Sequence, residues 1–488
     1  VTHTVLGERW ECVVLTKPDV EEWPPIPSFV NGVRCDEKGP FCEVAEEKFI
    51  AALREKVKKQ TKVELKKSEI MKHVGVVVNA LIKNPRFSSQ TKDKCTTKRS
   101  DLGSSPVWKP KDLKKAVNAV YPVIEEVAYA KINKKARRMV GAVKGSRLVI
   151  PKYEGAKKAG TKHESIKCSL VLTEGDSAKA LATQGFSVTG RKYFGVFPLK
   201  GKLLNTRKEK NPNKIIKNAE IQNLMQIVGL QPGVKADRNK LRYGRIIIFT
   251  DQDVDGSHIK GLVLSFLHLQ WPETLTWKDF VTVFHTPIIV AKWGRGQKKM
   301  FFTKPEFDQW KENEGRTLRF TSKYYKGLAT SNKTEAKEYF SNLERHLIAF
   351  NHETNPEEVS SAINIAFSDD NQYKTQRKEL VRQKSEMLVD RVTTIPDFVS
   401  IDSKLFWDDA GQRSFPHAID GLKESQRKVL FSLRKKNCRS ENAELRVAQL
   451  AAYTSEHTSY EHGEASLNDA ITKMGQTYMG SNNVNLLY

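Results

Sequence analysis

Three aspartates, Asp251, Asp253 and Asp255, fall in Arg245-Ile-Ile-Ile-Phe-Thr-Asp-Gln-Asp-Val-Asp-Gly256, directly after a run that reads as a buried strand. Alternation gathers the three carboxylates where that strand ends. Such a cluster repels itself at neutral pH unless cations or shifted protonation relieve it, and hard divalent cations with oxygen ligands are the usual relief. A fourth carboxylate, Glu174, holds a matching place after the apolar run Ser169-Leu-Val-Leu-Thr173. Two strands that deliver acids from their carboxyl ends make a Mg2+ site. In a basic protein, such a site points to phosphodiester chemistry.

Two other readings of the acids compete. Asp-x-Asp-x-Asp-Gly also opens an EF-hand calcium loop, which needs a bidentate Glu at its twelfth position. Counted from Asp251 that position is Leu262, and the segment before the loop reads as a strand, not a helix. A solvated acidic loop explains the aspartates but not the preceding strand or the partner acid on a second strand.

The elements that must position these acids follow a strand–helix alternation. Strand 169–173 leads to helix 177–184, with Gly175 for a tight turn and Asp176 or Ser177 as the helix cap. Strand 245–250 leads to a helix over about 257–268. This is the pattern of a parallel α/β sheet. Between the two pairs lies a basic insertion, Pro198 to Arg242, expected to be largely helical. Upstream, residues 1–150 read as one α/β unit. It has strands at Trp10–Leu15 and Gly75–Ile82, an amphipathic helix from Ala45 to about Val63, and a second helix from Lys111 to about Met139. The basic segment Pro151–Lys167 reads as a linker or a phosphate-facing loop. Downstream, 351–395 reads as a charged helical connector, and a last unit spans 396–488. There, the helix around Ser425–Leu433 sets Val429, Leu430 and Leu433 on one face and Arg427, Lys428 and Arg434 on the other. The expected division is therefore 1–150, 151–350, 351–395 and 396–488, a multidomain α/β chain.

Composition agrees with a polyanionic partner. The 488 residues carry Lys+Arg 82 against Asp+Glu 57, a formal net charge of +25, and the pI is about 9.6. That imbalance suits nucleic acid first and a membrane surface second. Six cysteines with no Cys-x-x-Cys pair read as reduced intracellular thiols. No stretch is long and apolar enough to span a membrane. The chain opens at Val1, so a fragment or processed product is expected and a missing leader says nothing.

Thr173-Glu-Gly-Asp-Ser-Ala178 followed by Asp251-Gln-Asp-Val-Asp-Gly-Ser-His-Ile259 resembles the Toprim domain of type IIA DNA topoisomerases. Toprim domains also occur in primases, type I topoisomerases and nucleases. Pro198-Leu-Lys-Gly-Lys-Leu-Leu-Asn205 resembles the basic loop particular to the type IIA branch. It is not a P-loop, since Gly195 is one residue too far from Gly201-Lys202 and Leu203 replaces the metal-binding Ser or Thr. Asn84-Pro85 and Gln90-Thr-Lys92 resemble the transducer domain of the eukaryotic-type enzyme. Lys323-Tyr-Tyr-Lys-Gly-Leu-Ala-Thr-Ser331 is similar to a family run that has glycine in place of Ala329. Asp420-Gly-Leu-Lys-Glu-Ser-Gln-Arg-Lys-Val-Leu-Phe431, His462-Gly-Glu464 and Gly480-Ser-Asn-Asn483 resemble the start of the family's winged-helix domain, with Glu461 where many relatives have a first histidine.

The resemblance implies an α/β transducer, a parallel-sheet Toprim domain and the start of a winged-helix domain. It implies an ATP-dependent type II topoisomerase that cuts one duplex, passes another and reseals, working as a homodimer on double-stranded DNA. By the same token, Glu174, Asp251 and Asp253 would hold two Mg2+ ions, with Asp255 close by as a fourth metal ligand and Mn2+ or Ca2+ able to substitute. Lys200, Lys202 and His258 would contact DNA near the break, Arg427 and Lys428 would hold its backbone, and His462 would stand near the scissile phosphate. Gln90 and Lys92 would reach the terminal phosphate of ATP. The family's tyrosine nucleophile is expected beyond Tyr488. The source would be eukaryotic or viral, placing the protein in the nucleus, or in the host cytoplasm, viral factory or virion. Two other classes stay open: a Toprim nuclease or primase, which the Asp420–Phe431 run contradicts, and a metal-free architectural DNA-binding protein.

The charge balance predicts DNA affinity that falls steeply with salt and depends little on base sequence. The expected log–log slope is roughly −0.9 per neutralised phosphate. Filter binding of the chain to unrelated duplexes across a salt series checks this; a flat dependence or one strongly preferred site contradicts it.

Overall fold

The structure is a computed structural model. It describes residues 1–16, 26–141, 148–325, 328, 332–383, 393–438, 444–460, 463–476, 478 and 486–487. Two compact units emerge. The first comprises Val1–Ala142, Glu209–Gln226 and Leu230–Lys235, and the second holds the rest.

In the first unit, β1 (Thr2–Val5), β2 (Trp10–Thr16), β3 (Ser28–Val30), β4 (Val33–Cys35) and β5 (Val74–Ala80) make one sheet in the order β1-β2-β5-β3-β4. β3 pairs with β5 in parallel, and β2 pairs with both β1 and β5 antiparallel. Helices α1 (Pro40–Thr61) and α3 (Pro110–Val140) pack together, and the short α2 (Lys67–Met71) lies beside β5. α1 begins a turn before the expected Ala45. Pro40 occupies its first turn, where a missing N–H costs nothing, and the added residues bury Phe41 and Cys42. α3 buries Ala116, Val120, Ile124, Ala128, Ile132, Ala136 and Val140, every fourth residue, against the core. Phe49 of α1 stacks on Trp108 with ring centroids 5.8 Å apart. Residues 209–226 and 230–235 of the basic insertion belong to this unit. They carry the helix Pro212–Lys217 (α5) and most of Ala219–Val228 (α6). The insertion is less helical than expected: β7 runs through Pro198, and 200–211 are loop and turn.

The second unit is built on a five-stranded sheet in the order β13-β9-β8-β6-β7. Its strands are β6 (Ser169–Glu174), β7 (Phe194–Leu199), β8 (Arg245–Phe249), β9 (Val281–Phe284) and β13 (Leu347–Ala349). β6, β7, β8 and β9 run parallel, and β13 closes the edge antiparallel. The inner strands β6 and β8 are buried along nearly their whole length, which is why they read as continuous apolar runs. α4 (Gly175–Thr189) and α7 (Val254–Gln270) follow β6 and β8. Both are longer than the sequence suggested. At α4, the backbone of Gly175 takes φ +78°, so the chain turns from strand straight into helix and Glu174 becomes the N-cap. Asp176 therefore does not cap the helix. It lies in the first turn and pairs with Lys152. The segment expected as a linker is tied to the sheet edge instead. Glu154 bridges β7 at Val196 and takes Lys179 and Arg191, each at 2.8 Å.

A three-stranded antiparallel sheet, β10 (Ile289–Trp293), β11 (Gln297–Phe301) and β12 (Phe320–Tyr324), packs with α8 (Lys304–Glu312) through Trp310. α9 (Lys333–Ser341) lies on α4, and the short α10 (Leu343–His346) leads into β13. The connector is helical where described: α11 (Pro356–Phe367) and α12 (Asn371–Arg382). After it, α13 (Ile395–Phe398), a π-helical turn (Val399–Ser403) and α14 (Lys404–Ser414) run on without a break in helical backbone. Last come α15 (Glu424–Lys435), α16 (Val447–Thr458) and α17 (Glu464–Met474), clustered around Val429, Leu450, Leu467 and Ile471. Leu430 and Leu433 pack on that cluster, as the helical pattern predicted. All six cysteines are free, and five are buried. Among the described residues no helix is long and apolar enough to cross a membrane.

The α4–α9 contact generates a stability test. A Cβ on Gly185 would sit 2.1 Å from the Phe340 ring, which Phe186, Phe249 and Phe284 hold in place at centroid distances of 5.7, 6.2 and 5.2 Å. Gly185→Ala should cost about 1–3 kcal/mol by overpacking. Gly411→Ala on α14, where nothing lies within 4 Å of the added carbon, should instead gain roughly 0.5–1 kcal/mol. Urea unfolding of the two variants measures both; equal effects would contradict this packing.

Candidate metal and nucleic-acid site

The parallel register of β6 and β8 builds the acid cluster. Thr173 lies opposite Phe249, so the next residues along the two strands, Glu174 and Thr250, come level, and Asp251 follows. The Asp251 N–H donates to the Glu174 carboxylate. Asp253 is the N-cap of α7 and accepts the Gly256 N–H at 2.7 Å. Gly256 is required here: a Cβ would fall 2.1 Å from the Asp251 carbonyl oxygen. The acids thus stand at the N-termini of α4 and α7, where the helix dipoles favour negative charge.

The four carboxylates are not equivalent. Glu174 is half-buried, and its Oε2 is enclosed without a hydrogen-bond partner. Burial, then the charges of Asp251, Asp253 and Asp255, push its pKa up to about 7. Asp251 is also shifted up, chiefly by burial, although its Oδ1 accepts the Leu328 N–H at 2.7 Å. Asp255 goes the other way. Burial alone would raise it, but Arg413 and Lys202 outweigh burial and hold it well below the usual carboxylate range. Arg413 grips it as a fork at 3.0 and 3.1 Å, and Lys202 Nζ lies 2.8 Å from Oδ1. Among the described residues no three His, Cys, Asp or Glu side chains already converge as a metal cage. Asp255 is drawn off by its cations, and Asp253 turns back to cap its own helix.

The expected DNA-contacting residues fall into distinct settings. Lys200 and Lys202 lie exposed on the loop after β7, and Lys202 also stands 5.0 Å from the Phe406 ring centroid. The loop is anchored by Asn205, which donates to the Phe367 carbonyl at 3.1 Å, and by Arg207, which bonds Asn364 and His268. His268 accepts that contact in neutral form, since burial and then Arg207 depress its pKa to about 4. His258 stacks on Phe406 at 3.9 Å. Burial, then Lys202, lowers its pKa to about 4, so it is a neutral ring and not a cation for phosphate. Arg427 forks onto Asp420 at 2.6 and 2.9 Å, and Lys428 pairs with Glu424 at 2.7 Å, so both charges are already answered within the chain. His462, Glu461, Ala329, Tyr488 and residues 480–483 lie outside the described residues. In the first unit, Gln90 is exposed, and Lys92 sits in a left-handed conformation (φ +61°) near the Phe87 ring.

Sequence reasoning missed Arg413, Phe406, Arg207 and the Leu328 N–H. Leu328 could have been found, for it lies inside the Lys323–Ser331 run. Arg413 and Phe406 lie more than a hundred residues from their partners, and no local pattern marks them.

Four family models match consecutive stretches of the chain. They are DNA gyrase B over 16–141, the Toprim domain over 169–283, the C-terminal associated domain of Toprim over 284–408, and the A-type subunit of DNA gyrase/topoisomerase IV over 413–488. The whole chain is 40% identical over 516 aligned residues to DNA topoisomerase 2-beta of Gallus gallus, of which it covers 30%. It is 39% identical over 514 residues to DNA topoisomerase 2-alpha of Homo sapiens and to DNA topoisomerase 2 of Drosophila melanogaster, covering 32% and 34% of them. The chain thus spans about a third of the length of these curated relatives. A crystal structure of the Plasmodium falciparum topoisomerase II DNA-binding, cleavage and re-ligation domain matches with a TM-score of 0.59 at 42% identity, covering 70% of this chain and 46% of that one.

The Glu174 environment predicts a pH effect on stability. Without divalent ions, the folded chain keeps the Glu174 proton up to about pH 7, whereas its ordinary value is 4.5. Between those values the folded state binds more protons. The stability this group contributes is full below about pH 4.5 and is lost as pH rises through about 7. Unfolding free energies of wild type and Glu174→Gln across this range should diverge, with the wild type falling relative to the variant. A constant difference would contradict the assignment.

Proposed function

We propose that this chain, as a member of the type II DNA topoisomerase family, supplies the metal-binding and much of the DNA-binding surface of an ATP-dependent enzyme that breaks, passes and reseals duplex DNA. The observation that carries this is the enclosed, partnerless Oε2 of Glu174 beside Asp251 and Asp253, on a chain of net charge +25. A carboxylate whose pKa is raised by burial and like charge lacks a cation in contact with it, and none of the described basic side chains bonds that oxygen.

The residues therefore fit a divalent ion. Glu174, Asp251 and Asp253 would hold Mg2+, with room in the family for two ions and for Mn2+ or Ca2+ in its place. When bound, the metal stabilises charge on the nonbridging and leaving oxygens of the scissile phosphate. Asp255 serves differently: it holds Lys202 and Arg413 at the rim, two cations set where a phosphate would approach. The fork of Arg413 suits a phosphate as well as it suits a carboxylate. Lys200 adds charge on the same loop. His258, neutral at pH 7, would offer the backbone a hydrogen bond. Arg427 and Lys428 would act on DNA only by exchanging Asp420 and Glu424 for phosphate, and His462 would stand near the break. The first unit would present Gln90 and Lys92 to the terminal phosphate of ATP. Homodimer formation, expected of the family, and a nuclear location, since the relatives named above come from eukaryotes, complete the reading.

Glu174→Gln or Asp251→Asn in the intact enzyme should abolish Mg2+-dependent cleavage while DNA binding survives or tightens, because removing negative charge favours a polyanion. Plasmid cleavage trapped with detergent and a parallel gel-shift assay separate the two effects. Wild-type cleavage in either variant would refute the metal assignment.

Lys92→Ala should lower ATP hydrolysis and strand passage but spare cleavage, as decatenation and ATPase assays would show. Loss of cleavage with normal ATPase would reverse the assignment of that loop.

A further inference from the structure

α7 and the continuous helix 395–414 face each other at three levels in antiparallel order. Asp255 meets Arg413 at the mouth of the acid cluster, at 3.0 Å. His258 stacks on Phe406 one turn deeper, at 3.9 Å. Lys260 lies deeper still, within electrostatic range of Asp402 on the π-helical turn, and also of Asp253 and Glu174. Lys260 is only 3% exposed. Side chains on a helix lean toward its N-terminus, so its ammonium leans back toward Asp253, which caps α7, and Glu174, which caps α4. The packing around it is close: a Cβ on the next residue, Gly261, would meet Phe367 at 2.4 Å and Phe398 at 3.3 Å. A π-helical turn is rare and shifts the register of the residues that follow it. Here it lies between α13, which packs on α11, and α14, which carries Phe406 and Arg413, and its own Asp402 faces Lys260.

We propose that Lys260 and Asp402 are positioning residues for divalent-ion binding: Lys260 is a fixed counter-charge beneath Glu174 and Asp253, and Asp402 holds it back from them. The inference rests on the metal reading above. It gives two opposite charges that face each other opposite effects on the site. Without Asp402, Lys260 turns its full charge to the acids and competes with the incoming ion. Without Lys260, the acids face the ion unopposed. A pair that served only to hold helices together would instead weaken the site from either side.

The test is direct Mn2+ binding to the 488-residue chain, read from the loss of the free-ion electron paramagnetic resonance signal, with Glu174→Gln marking the site. Asp402→Asn should weaken Mn2+ binding at least about threefold, and Lys260→Met should tighten it by a similar factor, the size expected of one charge at an effective dielectric of about 20 after screening. The double variant should fall between them. Circular dichroism melting reports folding of each. Shifts in the same direction, or no shift in either, with a wild type that binds, overturn this inference and leave the metal reading standing. A wild type that binds no Mn2+ at this site overturns both. Should Lys260→Met fail to fold, Asp402→Asn still decides: unchanged or tighter binding contradicts the proposal.

Discussion

Like charges forced together at the carboxyl ends of two adjacent parallel strands are the constraint around which the second unit is organised. The β6–β8 register leaves no freedom: Thr173 opposite Phe249 brings Glu174 beside the start of the Asp251–Asp255 run. Left alone, the cluster would cost the fold its repulsion and the burial of Glu174. Each neighbouring element answers part of that cost. Two helix N-termini point at the acids, the Asp251 and Leu328 N–H groups bond them, and Arg413 with Lys202 neutralises the outermost member. What remains without a hydrogen-bond partner is Oε2 of Glu174, an open oxygen of the kind a metal site keeps for its metal.

The same logic explains why residues far along the chain matter. Arg413 reaches Asp255 across 158 residues of sequence. It can do so because Phe406 stacks on His258 and the helix that carries both Phe406 and Arg413 lies along α7. The basic loop is held by comparable means. Arg207 is locked by Asn364 and by a neutral His268, which fixes the stem from which Lys200 and Lys202 project. The site is thus preorganised by packing and charge together.

How much of this the sequence disclosed depends on the range of the interaction. Apolar runs ending in acids marked β6 and β8, and Gly175 marked the tight turn after Glu174, because these signals are local. The strand–helix alternation implied the parallel sheet that the structure has. The loop Pro198–Asn205 was legible through resemblance. The roles of the charged residues were not legible. Asp255 looks like its neighbours in sequence yet is the one held by cations, since its fate is decided by α14. Arg427 and Lys428 read as holders of the DNA backbone, but Asp420 and Glu424 bind them within the chain. His258 read as a DNA contact of the usual kind, whereas burial and then Lys202 make it neutral. Pro40 was a readable helix start that the apolar pattern alone placed a turn too late. Asp176 read as a cap, and the φ of Gly175 moved the helix start past it.

The central claim, that Glu174, Asp251 and Asp253 form a divalent-ion site while Asp255 stays with its cations, is tested most directly by anomalous diffraction from crystals of this chain soaked in Mn2+. The predicted result is a peak with carboxylate oxygens of Glu174, Asp251 and Asp253 at about 2.1 Å, and Asp255 still forked by Arg413. No peak at saturating Mn2+, or a peak held by other residues, would contradict it.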